Sequence, residues 1–303
     1  MVRVLLITTF AILSVCVATA QQQATFSQYM FNGLAINPAY AGSQEALSVS
    51  FLARIQNVGL PGSPTTQTLA IHSPIVKQRF ALGFLVVHDK ISVISETGVS
   101  AMYAYRLQMK KGATLSMGIQ AGFSAYEAAY SQLTTSQPDV VFAQDVRQTR
   151  PNIGLGIYYS NQLWYAGISM PHMLNNIFNQ GTNFETIPQS TPIILTGGYM
   201  FTLNKLMKLK PNFLFKWIDT RVVEMDINAN LLLDEVLWLG VSYRLSQSLG
   251  WLLEVQATDQ FRLGYSYSTS LGTIKQAELG SHEILLNYRF KKYSRGIVTP
   301  RYF

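Results

Sequence analysis

Hydrophobic and polar residues alternate along most of the chain. Between Ala113 and Ser124 the odd positions hold Ala113, Leu115, Met117, Ile119, Ala121 and Phe123, and the even ones Thr114, Ser116, Gly118, Gln120, Gly122 and Ser124. Phe261 to Leu271 repeats the pattern, with Phe261, Leu263, Tyr265 and Tyr267 on one side and Arg262, Gly264, Ser266 and Ser268 on the other. Leu47 to Ile55, Val99 to Leu107, Leu237 to Leu245 and Ile284 to Phe290 behave alike. A period of two marks a strand with one apolar face, and runs of about nine residues or more suit a tilted membrane strand. Turn signals between the runs predict about fourteen strands, at 46 to 55, 65 to 74, 79 to 88, 96 to 107, 113 to 124, 150 to 159, 162 to 171, 190 to 203, 208 to 218, 224 to 233, 236 to 245, 249 to 258, 261 to 271 and 281 to 291.

The polar face separates a membrane barrel from a water-soluble sandwich. It is built of Gly, Ser, Thr, Asn and Gln with an occasional Arg, and it lacks the Lys and Glu coat of a water-facing sheet, so it suits a crowded lumen. Aromatic pairs such as Tyr103 and Tyr105, Tyr199 and Phe201, and Tyr288 and Phe290 stand near strand ends on the apolar face, where an interfacial girdle belongs. No apolar run after the first twenty residues approaches the ~20 that a membrane helix requires. Phe80 to Val87 stops at His88-Asp89, and Leu231 to Leu233 runs into Asp234-Glu235. Composition agrees: 48% of the residues are hydrophobic and 13% charged, where a soluble domain carries roughly 25% charge. In lipid the backbone must satisfy its own polar groups, which leaves a closed barrel. The predicted fold class is an all-β, transmembrane, antiparallel β-barrel.

Residues 1 to 20 read as a secretory signal, with Arg3, an apolar stretch and the small-residue end Ala18-Thr19-Ala20, so the mature chain is expected to start at Gln21. Cys16, the single cysteine, falls in this leader and follows Val15, which favours ordinary cleavage over a lipoprotein. Without it the mature chain has no thiol for disulfides, nucleophiles or metals.

With the amino end in the periplasm, the longest outer connections are 126 to 149 and 172 to 189, and the inner ones are short. Positive charge gathers on the inner side, at Lys77, Arg79, Lys110, Lys111, Lys205, Lys208, Lys210, Lys291, Lys292, Arg295 and Arg301. It can meet anionic lipid headgroups, or form a basic rim that docks a protein, with Lys205, Lys208 and Lys210 as candidate docking residues. No nucleic-acid motif accompanies it.

Chemistry is sparse. His72, His88, His172 and His282 are scattered, and His282-Glu283 lacks the second histidine of a zinc helix. No metal, cofactor or enzymatic activity is expected. His88-Asp89 would need a serine from another strand to make a hydrolase, and Gly154 and Gly156 fit lumen packing better than a phosphate loop.

The segment before the first strand differs from the rest. Residues 26 to 43 include Phe26, Ser27, Gln28, Tyr29, Phe31, Asn32, Asn37, Pro38, Tyr40 and Gly42, carry no charge and follow neither periodicity. So apolar a stretch needs partners, and it is expected to pack on the inner mouth or occupy the lumen as a plug. A first strand with a turn at Pro38 and Gly42 is the plainer alternative. Phe26-Ser27-Gln28-Tyr29-Met30-Phe31-Asn32 and Asn37-Pro38-Ala39-Tyr40-Ala41-Gly42-Ser43 resemble the amino-terminal signature of the PorP/SprF family of type IX secretion system membrane proteins. Tyr103-Ala104-Tyr105-Arg106-Leu107, Ser281-His282-Glu283-Ile284 and Pro300-Arg301-Tyr302-Phe303 fit the same family, with Gly33 standing where members often carry proline.

The resemblance implies a Bacteroidota outer-membrane component of type IX secretion, supporting export or surface retention of adhesins or other secreted proteins and, in some species, gliding motility. It implies as partners other secretion components at the periplasmic face, a secreted adhesin or the carboxy-terminal domain of an exported substrate, and outer-membrane lipid. The expected organisation is a signal peptide at 1–20, the signature segment at 21–45 and the barrel at 46–303 with a basic tail. A channel or transporter for small apolar ligands is the competing function.

Overall fold

The computed structural model describes residues 26–75, 78–132, 144–174, 191–218 and 221–290, with the backbone alone at 221–223. The leader, Lys77, the centres of both long outer loops and the tail from Lys291 to Phe303 lie outside the described residues. Fourteen antiparallel strands form a closed barrel: β1 (Ser48–Ile55), β2 (Thr65–Ile75), β3 (Phe80–Ile91), β4 (Ile94–Gln108), β5 (Thr114–Ala128), β6 (Val146–Ser160), β7 (Trp164–Met170), β8 (Ile193–Tyr199, resumed after Met200 by Phe201–Thr202), β9 (Met207–Ile218), β10 (Arg221–Leu233), β11 (Leu237–Arg244), β12 (Ser248–Gln256), β13 (Phe261–Ser270) and β14 (Ser281–Arg289). Each strand pairs with the next in sequence, and β1 closes the circle on β14 in a register that sets Ser48 opposite Arg289 and Ile55 opposite His282.

Closure follows from the solvent. An open sheet edge in hydrocarbon would leave a row of backbone groups unbonded. The side-chain period then sorts the faces. Along β5, Met117, Ile119 and Phe123 point out and Ser116 and Gln120 point in, and along β4 Tyr103, Tyr105 and Leu107 point out while Met102, Ala104 and Arg106 are buried. A belt of exposed large apolar side chains circles the wall, among them Phe84, Ile157, Ile168, Leu239, Trp251 and Ile284. In water such a belt would be a severe defect, and in a bilayer it is the favourable contact.

Strand lengths are uneven. β4, β5 and β6 have 15 residues each and β7 has 7, against the ~9–11 that cross the apolar layer. The surplus lies at the long-loop end, where Arg147 and Glu127 form an exposed ion pair at 2.6 Å. There the Ser131 amide donates to Asp145 at 3.0 Å and holds its carboxyl below the ordinary range. β3, β4, β5 and β6 also run further into their long-loop-side hairpins than the alternation suggests. The predicted outer connection Lys90 to Ser95 contracts to two residues between β3 and β4, with Ser92 at φ 54°. At the opposite rim Asp234 and Glu235, both left-handed, make the tight β10–β11 turn.

Before β1 the chain forms three one-turn 3-10 helices, Tyr29–Phe31, Gly33–Ala35 and Pro38–Tyr40, rather than a strand. Pro38 suits the first helical position, and the Asn37 side chain caps it by accepting from the Ala39 amide at 2.9 Å. Phe31, Ala35 and Tyr40 each donate to the carbonyl three residues back. Such turns satisfy backbone groups locally where water is scarce.

Candidate functional site

Residues 26–43 lie among inward-facing side chains drawn from strands all round the barrel. At the amino end, Ser27 and Gln28 donate their amides to the two oxygens of Glu283 on β14, at 3.0 and 2.8 Å. Asn228 on β10 donates to the Tyr29 hydroxyl at 2.9 Å, Asn32 donates to Thr68 on β2 at 3.1 Å, and Ser169 on β7 donates to the Ile36 carbonyl at 2.8 Å. Asn37 reaches the Ile157 carbonyl of β6 at 2.9 Å, and the Gly42 amide meets His72 of β2 at 3.1 Å. Aromatic edges complete the fit: Phe31 on Trp238, and Tyr40 on both His72 and Tyr158. A residual cavity bordered by Tyr29, Ile36, Tyr40, Tyr165 and Lys210 measures about 20 Å³, room for one water.

The wall accommodates this segment in two ways. Across β3 to β6 several of its inward positions are small, Ala81, Gly83, Ala104, Gly118 and Gly156, between larger ones such as Met102, Gln120 and Tyr158. A methyl group on Gly118 would come within 2.5 Å of the Pro38 carbonyl carbon, and one on Gly156 would collide with the Asn37 side chain. These glycines leave room for the 3-10 turn at Pro38–Tyr40.

Across β9 to β14 many inward positions are charged or amide, set among apolar ones such as Leu214, Trp238 and Leu285. Arg244 binds Glu224 at 3.0 Å and Asp226 at 3.3 Å, with Lys216 3.8 Å from Glu224. Arg262 holds Glu254 at 3.1 Å, and Arg54 on β1 lies 3.4 Å from Glu283. All of these side chains are buried except Arg262, whose side chain is 14% exposed. Positive charge also stacks on the segment: Lys210 and Arg262 each lie 5.5 Å from the centre of the Phe31 ring.

The structure gathers the whole predicted signature, Phe26, Ser27, Gln28, Tyr29, Phe31, Asn32, Asn37, Pro38, Tyr40 and Gly42, into this one buried place. It separates the three lysines expected to form a docking rim. Lys205 is exposed at the short-turn rim, and Lys208 is partly covered and paired with Glu235. Lys210 is 0% exposed and faces inward among Phe31, Tyr165 and Trp238. Lys210 is therefore no surface docking residue: it shares the inward face of β9 with Lys208, but lies one inward position deeper, past the rim where Lys208 meets Glu235. His88 Nδ1 is 2.8 Å from Thr97 Oγ1, and Asp89 accepts from Thr66 at 2.6 Å, so both of these contacts are to threonines and neither is to a serine. Among the described residues no group of three or more His, Cys, Asp or Glu is placed to hold a metal.

The expectation of a lumen poor in Lys and Glu is corrected by Lys210, Lys216, Glu224, Glu254 and Glu283. A parity signal existed, because Glu224, Asp226, Asn228 and Asn230 recur every second residue, as do Lys208, Lys210, Asn212 and, after Leu214, Lys216.

Among solved structures the CymD monoaromatic hydrocarbon channel has a TM-score of 0.53 at 11% identity, covering 89% of this chain and 94% of that one. The outer membrane protein Omp33 of Acinetobacter baumannii scores 0.49 at 9% identity over 81% of this chain and 98% of its own. A Pseudomonas aeruginosa FadL homologue scores 0.48 at 10% identity over 90% and 96%. At such identities the likeness to CymD concerns the barrel fold alone. No curated protein matches the chain. The family profile described as type IX secretion system membrane protein PorP/SprF matches residues 18–288. Nearly the whole described barrel and its amino-terminal segment fall within that match, and the chain belongs to the PorP/SprF family, an outer-membrane component of the type IX secretion system that associates with other components of that machinery.

Proposed function

We propose that this protein supports the export or surface retention of adhesins or other exported proteins without enzymatic chemistry, and that residues 26–43 plug the barrel so that it acts as a docking platform rather than an open pore. The observation carrying this reading is the polar and aromatic seating of residues 26–43 against β2, β6, β7, β10, β11 and β14. A lumen so filled has little room for a passing solute. Partners are then met at the two rims. At the periplasmic rim the exposed Lys205, Lys110, Lys111 and Arg79 offer positive charge to an acidic machinery surface. On the cell-surface side the tall β4 to β6 sector and its loops offer the larger area to an exported adhesin.

The test combines deletion of residues 22–43 with charge reversal at Lys110, Lys111 and Lys205. The deletion is expected to leave a folded barrel that admits small solutes into proteoliposomes and to strip the surface of exported adhesin, with loss of gliding in a species that glides. The reversal is expected to abolish co-purification with periplasmic partners from native membranes. Solute uptake by the intact protein, with surface adhesin unchanged on deletion, would instead establish a channel.

A further inference from the structure

Residues 26–44 carry no charged side chain, yet their amino end is bound by one. Both oxygens of Glu283 are engaged by consecutive amides of Ser27 and Gln28, and the Gln28 side chain donates to the Glu283 carbonyl at 3.4 Å. Arg54 closes the arrangement, 3.4 Å from Glu283 and 3.5 Å from the Ser27 hydroxyl. Along the segment, the contacts at Asn32, Ile36, Asn37 and Gly42 are neutral. A carboxylate accepting two backbone N–H bonds is about twice as strong a partner as a neutral acceptor, and it loses that advantage when its charge is removed.

The place is as telling as the chemistry. Arg54 and Glu283 are directly opposite each other across β1 and β14, the seam where the first and last strands meet. Arg54 is the last residue but one of β1, and Glu283 the third of β14, so the grip lies toward the long-loop mouth. The other end of the segment is fastened near the short-turn rim, where Gly42 meets His72 and Glu45 faces Arg106 at 3.9 Å.

We propose that Glu283, clamped by Arg54, is a catch that holds the amino end of the plug on the cell-surface side of the lumen, and that its release opens the barrel from that end. The proposal rests on the plugged reading above. It assigns regulation to a buried contact at the barrel seam, in the half of the lumen nearer the long-loop mouth. The inner half of the segment, packed by Phe31 and Tyr40, stays seated while residues 26–30 swing free.

Conductance of the purified full-length protein in planar bilayers tests it, with heat-modifiable gel mobility showing that each variant is a folded barrel. Deletion of residues 22–43 is expected to give a large, steady conductance, and the wild type to stay closed. Glu283→Gln, nearly isosteric, is expected to flicker open with an open time raised about tenfold or more, the loss of a charge-assisted bond. Ser27→Pro removes one donor amide and leaves the wall untouched, so it is expected to do the same and keeps the test decisive if the Glu283 variant fails to fold. Folded variants as closed as the wild type, beside a conducting deletion, overturn the catch and leave the plug standing. A deletion as closed as the wild type overturns both.

Discussion

Two sectors of one lumen hold the same segment by opposite means. From β3 to β6 the wall recedes at chosen points: Ala81, Ala104, Gly118 and Gly156 present almost no side chain, and at Gly118 and Gly156 the segment's own Pro38, Ala39 and Asn37 fill the space. From β9 to β14 the wall advances with Lys210, Lys216, Glu224, Asp226, Arg244, Glu254, Arg262 and Glu283, and much of that charge is spent on other wall residues. One sector works by shape and the other by charge neutralisation in a dry interior. The difference matters because the two fail differently. A shape-fitted wall is disturbed by adding atoms, and a charge-balanced wall by removing them.

The largest effect is expected in the charged sector. Arg244→Ala removes the cation bound to both Glu224 and Asp226, and breaking a buried ion network by deleting one member costs about 3–5 kcal/mol. Urea unfolding in lipid vesicles, followed by tryptophan fluorescence and gel mobility, should show the midpoint fall accordingly. A loss below about 1 kcal/mol would place these groups in bulk-like water, and the contrast between the sectors would collapse.

A smaller effect is expected in the shape-fitted sector. Gly118→Val forces side-chain atoms onto the backbone of Pro38 and Ala39, which cannot move away as a flexible side chain would. Overpacking of this kind costs about 1–3 kcal/mol. The barrel should still fold, because the neighbouring Ile119 keeps its outward place. Residues 26–43 should lose their seat, and limited proteolysis of detergent-solubilised protein should cut there in the variant alone. Unchanged protection would mean that the segment does not depend on this sector.

How much of this could be read beforehand depends on what each feature rests upon. The wall was legible because its cause is local: alternation at positions such as Leu115, Met117 and Ile119 fixes which face meets lipid, and every predicted strand has its counterpart. Hairpin ends were less legible, since the continuation of β3 to Ile91 and of β6 back to Val146 depends on pairing with a neighbour, and polar residues outside the membrane alternate weakly. The signature residues could be recognised as needing partners, but their 3-10 turns arise from a dry lumen and not from periodicity. The misplacement of Lys210 shows the same limit from the other side. Read as part of a lysine run, it belonged with Lys205 and Lys208, and what separates it from them is depth: Lys205 lies outside β9, Lys208 at its rim end, and Lys210 one inward position further into the lumen. Arg54 and Glu283 lie 229 positions apart, and nothing local announces that they meet.

The smallest expected effect sharpens the contrast, because the chemistry is kept and only the surroundings change. Arg147 and Glu127 form a pair as close as any in the lumen, at 2.6 Å, but Arg147 is 76% exposed, beyond the apolar belt on β5 and β6. Water already solvates both groups there, so the Coulomb gain is small and two mobile side chains must be ordered to collect it. Arg147→Ala is expected to shift the unfolding midpoint by less than about 1 kcal/mol. A double-mutant cycle with Glu127→Ala should return a coupling that shrinks further in high salt. Arg244 and its acidic partners should keep most of their coupling in the same salt, since counter-ions have no ready path to them. If both cycles respond to salt alike, the lumen is wet throughout, and the charged sector holds its segment no more firmly than an arginine at the surface holds its glutamate.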